Sequence, residues 1–99
     1  MSDRRWKRLE RDVAKKLGGQ RIPVTGVRAD ADVLTPLFAC QVKSRARLPK
    51  WLPEWLSGVT YTAAMTGRTG ILVLHTPGQE LDDAVVCLRM RDWVELHGR

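Results

Sequence analysis

The hydrophobic period switches back and forth along this chain, and that alternation constrains its fold more than any other feature. Residues 3–17 read as an amphipathic helix: Trp6, Leu9, Val13 and Leu17 recur at three- and four-residue intervals, and Gly18-Gly19 stops the pattern. Arg21–Thr25 reads as a short strand, followed by a loop over residues 26–31. Asp32–Thr35 and Phe38–Lys43 are strand-like runs joined by a tight Thr35-Pro36-Leu37 turn, a β-hairpin. Pro49–Met65 reads as a second helix with Trp51, Trp55 and Val59 on one face and Leu52 and Leu56 beside them; Pro49 and Pro53 confine its regular part to the C-terminal side or kink its first turn. Ile71–His75 is a continuous apolar run of the doubly buried kind, ended by Pro77-Gly78, and Ala84–Met90 is a further strand. Asp92 is placed to cap a closing helical turn through Leu96. This order predicts an α/β fold with a mixed central β-sheet flanked by helices. A chain of 99 residues has room for one domain, residues 1–99, with one modest core.

Charge narrows the class of partner. Residues 1–50 carry 13 Lys or Arg against 5 Asp or Glu, whereas residues 51–99 carry 4 against 6. The net charge is +6, and 12 of the 17 basic residues are Arg, whose planar fork matches phosphate oxygens. Such segregation exceeds what solubility requires and points to nucleic acid ahead of an anionic membrane surface or an acidic protein. Cys40 and Cys87 sit inside apolar runs and read as reduced core cysteines, with no zinc-binding spacing. No apolar stretch approaches membrane-spanning length, so a soluble, intracellular, cytoplasmic protein is expected, with no membrane partner. Four Trp in so short a chain are expected in the core, or failing that at a dimer interface.

The residues with chemical potential lie in the basic half. Glu10 falls at the edge of the apolar stripe of the first helix, where a carboxylate either completes a salt bridge or points into a site. Arg4, Arg8, Arg11 and Lys15 crowd the opposite side. Asp32 heads one strand of the hairpin, and Gln41-Val42-Lys43 lies on the other. The two-residue spacing puts Gln41 and Lys43 on one face with Val42 turned into the core. An acid, an amide oxygen and a lysine at one place suit phosphodiester hydrolysis: oxygen ligands hold a hard cation, and a lysine stabilises charge on the phosphoryl group. Each residue also has a plainer reading: Asp32 as a turn acid, Lys43 as a solvated strand lysine, Glu10 as half of an ion pair. Arg45 and Arg47 leave the sheet after Lys43 as candidate phosphate contacts, or as solubilising charge.

Asp32 followed by apolar residues, then Gln-x-Lys on the next strand, with a glutamate on the preceding helix, resembles the PD-(D/E)xK nuclease motif. The stretches "GGQRIPVTG", "ADV…QVKSR", "LPKWLPEWL", "ILVLHTPG" and "DDAVVCLRMRDWVEL" resemble archaeal and phage Holliday-junction-resolvase-like proteins over nearly the whole chain. The resemblance implies a restriction-endonuclease-like domain and a phage-type DNA recombination nuclease. It implies Glu10, Asp32 and Gln41 as ligands of Mg²⁺ or Mn²⁺, Lys43 as the catalytic lysine, and a homodimer cutting branched DNA. It also brings the loop that holds Thr25 and Arg28 towards the scissile phosphate. Gln41 departs from the pattern, because the family has a carboxylate there; the amide keeps an oxygen donor and loses one charge. Nicking or exonucleolytic trimming of a duplex, and a DNA-binding module without turnover, are the alternatives.

Overall fold

The computed structural model describes residues 2–22 and 31–97, with side chains from residue 5 onward. The described residues form a small mixed α/β structure with three α-helices and two small antiparallel sheets. Its contacts divide into two compact units, Met1–Ser44 with His97–Arg99, and Arg45–Leu96.

In the first unit, helix α1 (Ser2–Leu17) packs on a three-stranded sheet of β1 (Gln20–Arg21), β2 (Val33–Leu34) and β3 (Ala39–Cys40), in that order. The helix ends where the glycines predict. Gly18 takes a left-handed φ of 71°, and the Gly19 N–H donates to the Ala14 carbonyl at 2.8 Å, closing a Schellman cap. The β2–β3 hairpin has the expected turn: the Thr35 N–H donates to the Phe38 carbonyl at 2.9 Å, and the Thr35 hydroxyl accepts the Phe38 N–H at 2.8 Å. The core is Ala14, Val33 and Val42, with Leu9, Val13 and Cys40 packed against it, and Val33 is fully buried.

The helix is rolled away from the expected stripe. Glu10 and Ala14 face inwards, while Trp6 is exposed. Small Ala14 lets α1 approach the sheet closely, and Glu10 enters the interior with a cationic partner, which offsets part of the penalty for burying it.

In the second unit, helix α2 (Trp51–Thr66) packs on β4 (Leu72–Leu74), which pairs antiparallel with β5 (Val85–Cys87). A 3-10 turn at Leu81–Asp83 precedes β5, and helix α3 (Met90–His97) follows it. Four expectations need correction here. First, Trp51 and Trp55 are not core residues: they are 40% and 53% exposed and stack on each other with ring centroids 5.0 Å apart. The inward stripe is instead buried Leu56 and Ala63 with half-buried Leu52 and Val59; it shares Val59 with the expected face, and Ala63 permits close packing. Second, β4 is not doubly buried; Leu72 and Leu74 are half-buried and Val73 is exposed, because a two-stranded ribbon with a helix on one side covers one face only. Third, Asp92 lies inside the first turn of α3 and caps nothing, since the helix begins two residues earlier. Fourth, the described strand pairs are all antiparallel and fall into two sheets where one mixed sheet was expected. Strands of two or three residues close with the nearest partner in sequence, so each sheet is satisfied locally.

Candidate functional site

The hairpin brings Asp32 to the 41–43 segment. Val33 pairs with Cys40, so continuing the register sets Asp32 opposite Gln41. The ladder is not continued by backbone alone. The Asp32 N–H donates to the Cys40 carbonyl at 2.7 Å, and the Asp32 carboxylate accepts the Val42 N–H through Oδ2 at 2.7 Å. A side-chain oxygen thus takes the place of a ladder carbonyl. The carboxylate is held against the backbone between Gln41 and Lys43, and this bond uses one of its two oxygens. Val42 is buried beside Ala14 while Gln41 and Lys43 are exposed, the alternation that their spacing requires.

Glu10 is placed differently. It is buried on the α1 side of the sheet, and its Oε1 accepts the Arg21 Nε–H at 2.7 Å in a salt bridge whose side chains are 9% and 19% exposed. No hydrogen bond or ion pair among the described residues links Glu10 to Asp32, Gln41 or Lys43. The two centres are nonetheless neighbours through the backbone, because Arg21 pairs with Val33 and the Ile22 N–H donates to the Asp32 carbonyl at 2.8 Å.

Arg21 is the residue that the sequence reading did not single out as part of this site. The signal for it was indirect: a glutamate on the buried edge of a helix calls for a cation nearby, and Arg21 begins the next strand. Cys40 is a second neighbour. Burial, and after it the Asp32 charge, push its thiol above the ordinary range; Cys40 and Cys87 are both free and half-buried.

The basic residues lie as follows. Arg5, Lys7, Arg8 and Arg11 are exposed along α1 and line a depression of about 480 Å³. Arg45 and Arg47 are exposed in the second unit. Thr25 and Arg28 lie outside the described residues, as does the side chain of Arg4. No described helix is long and apolar enough to cross a membrane.

The donors suit a hard divalent cation in kind: two carboxylates, Glu10 and Asp32, and the Gln41 amide oxygen. They are sparse in charge. Among the described residues no group of three or more His, Cys, Asp or Glu is gathered to hold a metal, and Arg21 offsets Glu10. No protein-family model matches the chain, and neither curated proteins nor solved structures give a match.

Proposed function

We propose that this protein is a divalent-metal-dependent DNA endonuclease of the PD-(D/E)xK type, a restriction-endonuclease-like enzyme acting on branched DNA as a homodimer. The observation that supports the reading is the 2.7 Å bond from the Val42 N–H to the Asp32 carboxylate, which holds the acid against the backbone between Gln41 and Lys43. Asp32 and Gln41 supply oxygen ligands there, and Lys43 is an exposed cation beside them, positioned to stabilise charge on a phosphoryl oxygen. Mg²⁺ or Mn²⁺, when bound, would supply Lewis-acid activation of the phosphodiester and of water. The arginines of α1 hold the DNA backbone, with Arg45 and Arg47 as further phosphate contacts. Selectivity for a four-way junction and the symmetric dimer rest on the sequence resemblance alone.

A second reading has its own observation. Glu10 is neutralised by Arg21, and Gln41 carries no charge, which favours a DNA-binding module without turnover. Incubation of the purified protein with a labelled four-way junction in Mg²⁺, Mn²⁺ or EDTA separates the two. Metal-dependent nicks are expected for the nuclease; retarded but intact DNA under all three conditions supports the binder.

A further inference from the structure

Helix α2 has a buried side and a bare one. Leu56 and Ala63 are buried, whereas Trp51, Trp55, Tyr61 and Met65 stand exposed. Glu54 is the one charged residue of this helix. A solvated helix face normally carries charge, and exposed aromatic surface of this extent marks a place of contact. Trp51 and Trp55 lie one turn apart, with ring centroids 5.0 Å apart and ring planes at 40°. Their overlap is therefore partial, and each indole keeps apolar ring surface open to solvent.

The segment that leads into the pair is basic. Arg45, Arg47 and Lys50 are all exposed, and none of them forms an ion pair among the described residues. Unpaired cations beside bare aromatic rings match one ligand chemistry: an unpaired base, which offers a π-face, joined to phosphates, which carry negative charge. Duplex DNA keeps its base faces inside the stack, so such rings reach them only where a strand is single. A second copy of the chain is the competing occupant of an apolar face. A two-fold interface sets one patch against itself, and here it would bring together two sets of Arg45, Arg47 and Lys50 with only Glu54 from each copy to offset them. Charge therefore favours the polyanion.

We propose that Trp51 and Trp55 form a base-stacking platform for single-stranded DNA, with Arg45, Arg47 and Lys50 holding phosphates of the same strand. The proposal rests on the DNA partner of the reading above and is independent of metal and turnover. The arginines of α1 meet phosphates whether the DNA is paired or not; the Trp pair selects unpaired nucleotides.

The test is fluorescence anisotropy with three labelled ligands: an oligothymidylate of about ten nucleotides, an abasic strand of the same length, and a duplex. The abasic strand keeps the phosphates and lacks the bases. Wild type should bind oligothymidylate roughly tenfold more tightly than the abasic strand. Trp51→Ala with Trp55→Ala should remove that preference and leave abasic and duplex affinity unchanged, while Trp51→Phe with Trp55→Phe keeps the ring faces and should retain most of it. Equal weakening on all three ligands in the Ala variant makes the pair a structural support and overturns the inference. Wild type that binds duplex but shows no preference for bases overturns it too, and leaves the DNA reading standing; failure to bind any of the three overturns both. Sedimentation equilibrium covers the remaining occupant: a wild-type dimer that the Ala variant turns into a monomer, with base preference unchanged, gives the face to a second copy and contradicts the proposal. Should the Ala variant fail to fold, the wild-type comparison of oligothymidylate with the abasic strand decides alone.

Discussion

Cys40 reports on the environment of Asp32 at the scale of single residues. Its thiol is pushed up, first by burial and then by the Asp32 carboxylate, so the folded protein keeps the Cys40 proton at pH values where an unfolded chain loses it. The sign follows from proton counting. Stability falls as pH rises from the ordinary thiol value towards the raised folded value, and Cys40 contributes no pH dependence below that window. Urea denaturation of wild type and Cys40→Ala, compared at pH 8 and pH 10, should show a fall in the wild type that the variant lacks. Alkylation at pH 8 should be slow at Cys40 and quicker in Asp32→Asn, which removes the second cause and leaves the first. Equal alkylation rates would show that Asp32 exerts no field on the thiol. Asp32 and Cys40 were both legible in the sequence, but their mutual influence was not, because it depends on the hairpin register.

Among the elements, those set by local pattern were legible and those set by choice of partner were not. The first helix, its glycine stop and the hairpin turn follow from residues adjacent in sequence, and the helix bounds fall close to the expected ones. The hairpin strands are shorter, Val33–Leu34 and Ala39–Cys40, so the expected strand through Lys43 stops at Cys40, and beyond it the Asp32 carboxylate takes the Val42 N–H. On α2, two overlapping apolar stripes compete, and only packing against β4 selects Leu56 and Ala63 over Trp51 and Trp55. The Glu10–Arg21 pair likewise joins a helix to a strand, so no spacing rule within either element announces it. The α1–sheet junction yields a direct stability prediction. A Cβ on Gly19 would collide with the Leu34 carbonyl oxygen and meet Thr35 Cγ2 at 2.8 Å, so Gly19→Ala should cost about 2 kcal/mol. Gly58, in the middle of α2, has nothing within 4 Å of such a Cβ, so Gly58→Ala should add about 0.5–1 kcal/mol through helix propensity. Urea melts of the two variants check the contrast. A neutral Gly19→Ala would mean that α1 leaves the sheet more room than the cap geometry allows.

The segregation of charge is a property of the whole molecule, and it decides what kind of ligand the protein attracts. With arginine exposed along α1, DNA affinity should fall steeply with salt, and Arg8→Ala with Arg11→Ala should flatten the log–log slope by about one to two units. A slope unchanged in that double variant would move the DNA path to the segment carrying Arg45 and Arg47. Binding of this kind is common to both readings of the protein, so it cannot by itself establish the enzyme. The decisive comparison is single-turnover cleavage of a four-way junction in Mg²⁺ by wild type and Asp32→Asn, with DNA binding measured in parallel. The amide oxygen of Asn can still accept the Val42 N–H, so the hairpin should hold and binding should persist, while the anionic ligand is lost. Mg²⁺-dependent cutting by the wild type and none by the variant at equal affinity is the expected result; cutting at the wild-type rate by Asp32→Asn would show that Asp32 holds no catalytic metal.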